Sequence, residues 1–124
     1  MLENTLVAAE ELEKRGIQTR VVDLHTIKPL DKKTVLTAAK KCGAIVTCEE
    51  NSVIGGMGSI VASFLSEELP TPIRMIGIRD VFGQSGAYDV LREHYKLSPR
   101  HIVKAAYAAM SAKRKGRKEI PNER

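Results

Sequence analysis

Three stretches of the 124-residue chain concentrate the groups that could do chemistry. The first is Gly55-Gly56-Met57-Gly58-Ser59. Glycines that open a helix leave backbone N–H groups free for a phosphate or carboxylate, and the helix dipole favours the negative charge. The second is a set of polar residues closing three β-rich runs. Asp23 and His25 follow Thr19–Leu24, Glu49, Glu50 and Asn51 follow Ala44–Cys48, and Arg79 and Asp80 follow Ile73–Ile78. Ligands of open parallel sheets bind beyond the carboxyl ends of the strands, so these groups could converge on one rim. The third is Asp80-Val-Phe-Gly-Gln-Ser-Gly86. There Gly83 and Gly86 permit positive φ, Ser85 can cap the next helix, and Phe82 is expected to plug the loop onto the core.

Each chemistry meets a plain structural alternative. Asp80 lies 24 residues after Gly56, where a dinucleotide fold keeps its ribose-binding acid. Yet several residues separate the strand from the glycines, and Val61 stands where the third fingerprint glycine would fall. Tight packing of the helix start explains the glycines better. No GxxxxGK[ST] loop occurs, which excludes that class of nucleotide hydrolase. His25 with Glu49, Glu50 and Asp80 could be drawn as a metal site, but no ligand spacing supports it. Loop capping, inter-strand hydrogen bonds and interface contacts account for the same residues. His94 and His101 are expected at the surface.

The elements that must position these groups follow from periodicity. Leu2, Leu6, Ala9 and Leu12 recur at helical spacing up to Gly16, predicting a helix over 3–15. Asp31 can cap a helix over 32–41 that Gly43 ends. Strands are predicted at 19–24, 44–48 and 73–78, and helices at about 58–68, 87–95 and 99–113, the last capped by Ser98 with Pro99 at its first position. Strands alternating with helices give an α/β fold: three layers, αβα, Rossmann-like, around a mostly parallel sheet.

Composition narrows the partners. The chain is 43% apolar and 28% charged, as a globular domain should be. No apolar run reaches the roughly 20 residues of a bilayer span, and no signal peptide is visible, so no membrane association is expected. Aromatics make up 4%, too few for a single-strand stacking platform. Six basic and two acidic side chains among the last twelve residues account for +4 of the net +5. Residues 113–124 therefore read as a basic flexible tail after a domain at 1–112, with contact to RNA or phospholipid as the sharper alternative. The body carries no basic stripe, so nucleic acid is not an expected partner. Cys42 and Cys48 lie six apart without a CxxC pair and read as free thiols in a reducing compartment, with the cytoplasm as the expected location.

Ordered motifs add a resemblance. Arg20-Val-Val-Asp-Leu-His-Thr-Ile-Lys-Pro-Leu-Asp31 resembles the C-terminal domain of transketolase-type thiamine diphosphate enzymes. So does Ala44-Ile-Val-Thr-Cys-Glu-Glu-Asn51 running into Ile54-Gly-Gly-Met-Gly-Ser59. Related 1-deoxyxylulose-5-phosphate synthases and 2-oxo acid dehydrogenase beta subunits share these patterns. The Asp80-x-Phe-Gly-x-Ser-Gly86 stretch is similar to transketolase proper. The resemblance covers roughly residues 3–108.

What it implies is specific. Such enzymes transfer a two-carbon ketol unit between sugar phosphates, with thiamine diphosphate and Mg²⁺ bound between two other domains across a dimer interface. By that implication this chain supplies no catalytic, cofactor-binding or metal residue. His25, Glu49, Glu50, Gly55, Gly56, Gly58, Ser59, Arg79, Asp80 and Ser85 remain ligand or interface candidates. Family members also place an apolar strand before the first helix, which this sequence lacks. Its absence would leave strand edges unpaired, each buried unmatched N–H or C=O costing about 1–3 kcal/mol. Thr19–Leu24 would then pair with Ala44–Cys48, a strand would arrive from another chain, or the edges would stay exposed. The leading expectation is a non-catalytic, dimer-supporting part of a transketolase-like homo-oligomer, partnered by its thiamine-binding domains or subunit. The alternatives are an independent anion- or nucleotide-binding module at Gly55–Ser59, the C-terminal part of a related 1-deoxyxylulose-5-phosphate synthase or 2-oxo acid dehydrogenase beta subunit, and a subunit that serves assembly alone.

Overall fold

The face that α1 (Leu2–Lys14) buries is Asn4, Ala8 and Leu12; of the expected apolar stripe, Leu12 lies in the core, whereas Leu2 and Leu6 are exposed. The computed structural model describes residues 1–118. After α1 come α2 (Lys32–Cys42), β1 (Ile45–Ser52), α3 (Met57–Glu68), β2 (Ile73–Ile78), α4 (Tyr88–His94) and α5 (Pro99–Lys118). β1 and β2 pair in parallel, with Ile45 opposite Ile73 and Cys48 opposite Ile76. An irregularity between Cys48 and Ser52 then brings Ser52 opposite Ile78.

The period of two along each strand divides the core. Val46, Cys48 and Ile76 pack on Ala8 and Leu12 of α1 and on Ile102 and Val103 of α5. Ile45 and Ile73 pack on Val35 and Ala39 of α2 and on Val61 and Leu65 of α3. Two helix layers thus enclose a parallel sheet, as the α/β reading expects. That sheet is partial, with two strands among the described residues.

Local signals explain the helix ends. The Asp31 carboxylate accepts the Thr34 N–H at 3.0 Å and the Thr34 hydroxyl at 2.7 Å, capping α2. Gly43, at φ 68°, closes it in the left-handed conformation. Lys113 Nζ donates to Cys42 O at 2.6 Å, setting a cation at the carbonyl end of α2. Buried Asn4 donates to Leu97 O at 3.0 Å and accepts from Arg92 Nη1 at 2.8 Å, which ties α1 to the α4–α5 junction.

Two expectations change. Thr19–Leu24 is not a strand: residues 18–25 have no regular structure and make no backbone–backbone hydrogen bond. β-propensity yields a strand only where a neighbour supplies a ladder. A cleft of about 380 Å³, lined by Arg20, Val22, Leu24 and Ile45–Cys48, borders this segment instead. α5 also continues to Lys118, so residues 113–118 of the expected tail are helical, and 119–124 lie outside the described residues. Cys42 and Cys48 are free and half-buried, and burial pushes the Cys48 thiol pKa up. Among the described residues, no helix is long and apolar enough to cross a membrane.

Candidate functional site

The centre of the strand-end rim is Glu49, which β1 carries beneath the start of α3. Its side chain is buried, with the whole residue 9% exposed. A buried carboxylate needs partners, and two backbone groups provide them. The Met57 N–H donates to Oε2 at 2.8 Å and the Gly58 N–H to Oε1 at 2.9 Å. α3 has no side-chain cap at Gly56 and no acidic residue in its first turn. Glu49 supplies both from a neighbouring element: acceptors for two otherwise orphaned donors, and negative charge at the positive end of the dipole.

The glycines make that approach possible. A Cβ on Gly56 would fall onto Ser52 O and Glu49 Oε2. One on Gly58 would stand 2.6 Å from Thr47 Oγ1 and 3.1 Å from Met75 Sδ. Ser59 stitches the same loop, its hydroxyl donating to Val53 O and accepting the Gly55 N–H at 3.2 Å. The place that an external anion would take at this helix start is therefore filled by the chain's own carboxylate.

The other rim residues are dispersed. Glu50 is exposed and accepts the Tyr88 hydroxyl at 2.8 Å, while Arg92 lies 4.6 Å over the Tyr88 ring. Donation from Tyr88, joined by the Met1 amino group, holds the Glu50 carboxyl below the usual range. His25 is exposed and makes its side-chain hydrogen bond to its neighbour Thr26, at 2.7 Å. Arg79 folds back to donate to Met75 O at 2.8 Å. Asp80 is exposed, with φ 48°. No group of three His, Cys, Asp or Glu able to hold a metal occurs among the described residues.

The 79–87 loop departs from expectation. Phe82 does not plug the core; it is 97% exposed. Tyr95 holds the loop by its backbone, the hydroxyl donating to Phe82 O at 3.2 Å and accepting the Gln84 N–H at 2.8 Å. That polar clasp fixes the chain without needing the ring inside. Gly83 and Gly86 keep ordinary φ, whereas Asp80 and Lys96 adopt the left-handed region. Ser85 is exposed and does not cap α4, whose cap position is Ala87. Ser98 does precede α5, but its hydroxyl pairs with His101 Nδ1 at 2.8 Å.

Sequence reasoning singled out Glu49 and missed its role. The available signal was an acid at the end of an apolar strand with glycines shortly after it, since buried charge demands donors. Nothing local marks Tyr88 or Tyr95 as the partners of Glu50 and of the loop.

Residues 1–102 match the family described as the transketolase C-terminal domain. The chain is 46% identical over 113 residues to the 6-deoxy-6-sulfo-D-fructose transketolase subunit of Clostridium sp. (strain MSTE9), covering 91% of this chain and 35% of that protein. It is 39% identical over 108 residues to the 1-deoxy-D-xylulose-5-phosphate synthase of Desulforudis audaxviator, covering 86% of this chain and 17% of that one. Among solved structures, a split-gene transketolase described as an inactive beta4 tetramer superposes with a TM-score of 0.87 and 46% identity, over 90% of this chain and 37% of its own. The chain thus spans about a third, or less, of the length of the proteins it matches.

Proposed function

The chain belongs to the transketolase C-terminal domain family, and on that premise we propose that it is a non-catalytic bracing part of an enzyme transferring two-carbon ketol units between sugar phosphates. Its relatives are transketolase subunits and 1-deoxyxylulose-5-phosphate synthases, so a transferase family is established and the particular transfer is the proposal. The observation that carries it is the Glu49 closure. The helix start is satisfied from within, Ser59 and Arg79 donate to backbone carbonyls close by in the chain, and Glu50 pairs with Tyr88 and the Met1 amino group.

Thiamine diphosphate, which the family implies for the parent enzyme, does not fit the start of α3. A diphosphate needs free donors and a partner cation. The Met57 and Gly58 N–H groups already face a carboxylate, and the space beside Gly56 and Gly58 is filled by Glu49 and Thr47. Like charge on Glu49 would repel the diphosphate further. No step of the reaction is assigned to this chain.

Its contribution on this reading is a surface for the thiamine-binding domains or subunit, within a homo-oligomer and in the cytoplasm. The free edge of β1 beside the 380 Å³ cleft offers backbone donors and acceptors to such a partner. The test is an assay of the 124-residue chain with thiamine diphosphate, Mg²⁺, and donor and acceptor sugar phosphates. No turnover is expected from the chain alone, and turnover on adding a polypeptide that carries the thiamine-binding domains. Activity of the chain by itself overturns the proposal.

A further inference from the structure

Beside β2, on the side that β1 does not line, lies a groove of about 800 Å³. Its walls are Met75–Gly77, the 79–84 loop, and the turn leading from α4 into α5. Its charges are one-sided. Arg79, Lys96 and Lys104 line it together with His94 and His101, against the single carboxylate of Asp80. They come from three places in the chain: the end of β2, the α4–α5 turn and α5 itself.

Little within the molecule neutralises them. Glu93 pairs with Arg100 and stands 3.8 Å from His101 Nε2. Lys96 and Lys104 are exposed and make no ion pair among the described residues. Arg79 uses one nitrogen on Met75 O and keeps its other N–H groups. Burial, then Arg100, Lys96 and Lys104, push the His101 pKa down, so positive charge is crowded here. Apart from Gln84, the remaining lining is uncharged and largely apolar, including Met75, Ile76, the Tyr95 ring and Phe82, left almost fully exposed. Several cations beside one acid match a dianion better than a single carboxylate. An aromatic wall matches a carbon skeleton.

We propose that this groove binds a phosphorylated organic molecule, with its phosphate held by Lys96, Lys104 and Arg79 and its carbon skeleton laid against Tyr95 and Phe82. The site is independent of the ketol-transfer reading, because its charged groups, Arg79, Lys96 and Lys104, are not those that close the start of α3. It also differs from the α3 start in having donors that no internal acid occupies.

Calorimetric titration of the full chain with phenyl phosphate and with inorganic phosphate, in physiological salt, tests it. Phenyl phosphate is expected to bind saturably and at least about threefold more tightly than phosphate, the difference disappearing in Phe82→Ala. The pair Lys96→Asn with Lys104→Gln should raise the phenyl phosphate Kd about tenfold or more, while Lys33→Gln with Lys40→Gln, an equal loss of charge on α2, should leave it within about twofold. The His101 imidazole, faced by Lys96, Arg100, Lys104, Glu93 and Ser98, should titrate at higher pH with ligand bound. Absence of saturable heat overturns the proposal, as does equal weakening by both lysine pairs, which is bulk screening. Equal affinity for the two probes overturns the organic ligand.

Discussion

A carboxylate buried under a helix start has one physical resolution, which is to accept from the N–H groups above it. Glu49 does so twice, at 2.8 and 2.9 Å. Glu49→Ala would leave both donors without acceptors in a closed space and is expected to cost about 1–3 kcal/mol, read by urea denaturation. Glu49→Gln keeps an acceptor oxygen and should cost less. Gly56→Ala tests the same contact from the other side. Its methyl would meet Ser52 O and the Glu49 carboxylate, and relieving that overlap should cost about 1–3 kcal/mol. If both variants unfold at the wild-type urea concentration, Glu49 does not secure α3. The acid and the glycines were both visible in the sequence, but their pairing was not. It depends on the irregularity after Cys48, which decides where residue 49 points relative to residues 57 and 58.

Among the elements, the two caps of α2 proved readable, whereas the Ser85 cap of α4 and one strand did not. Asp31 was identified from its type and place before an amphipathic run, and its contacts to Thr34 span only three residues. The Thr34 hydroxyl, then the Thr34 N–H, hold its carboxyl below the ordinary value. A depressed carboxylate stabilises the fold above its unfolded-state pKa, and that contribution is lost as pH falls through the folded value. Wild type should therefore lose stability below about pH 3.9, the ordinary aspartate value, more steeply than Asp31→Ala. Parallel acid-denaturation curves would show that the cap adds nothing. Thr19–Leu24 has strand-forming residues and no ladder, because β-propensity measures fit to a neighbour. Hydrogen exchange should find residues 18–25 exchanging at near-unprotected rates while β1–β2 amides are slow. Slow exchange across 18–25 would mean that the segment pairs in solution.

For the molecule as a whole, two helix layers enclose a sheet too narrow to close its own edges. Ile54, Val81, Phe82 and Val90 are exposed as well, at 67%, 56%, 97% and 66%. Unpaired edges and apolar loops favour association, so sedimentation velocity of the chain alone should show an average mass rising with concentration. A monodisperse monomer over the whole range would count against the homo-oligomer reading. Local pattern sufficed for all five helices and both strands of the described residues, the layer order and the family, because capping, periodicity and short motifs are encoded in neighbouring residues. Tertiary structure alone decided three further things: that Glu49 fills the anion position, that Phe82 faces solvent, and that Lys96 and Lys104 share a groove with Arg79. Each of these depends on which distant segment lies alongside, and on the burial and charge that the packing creates.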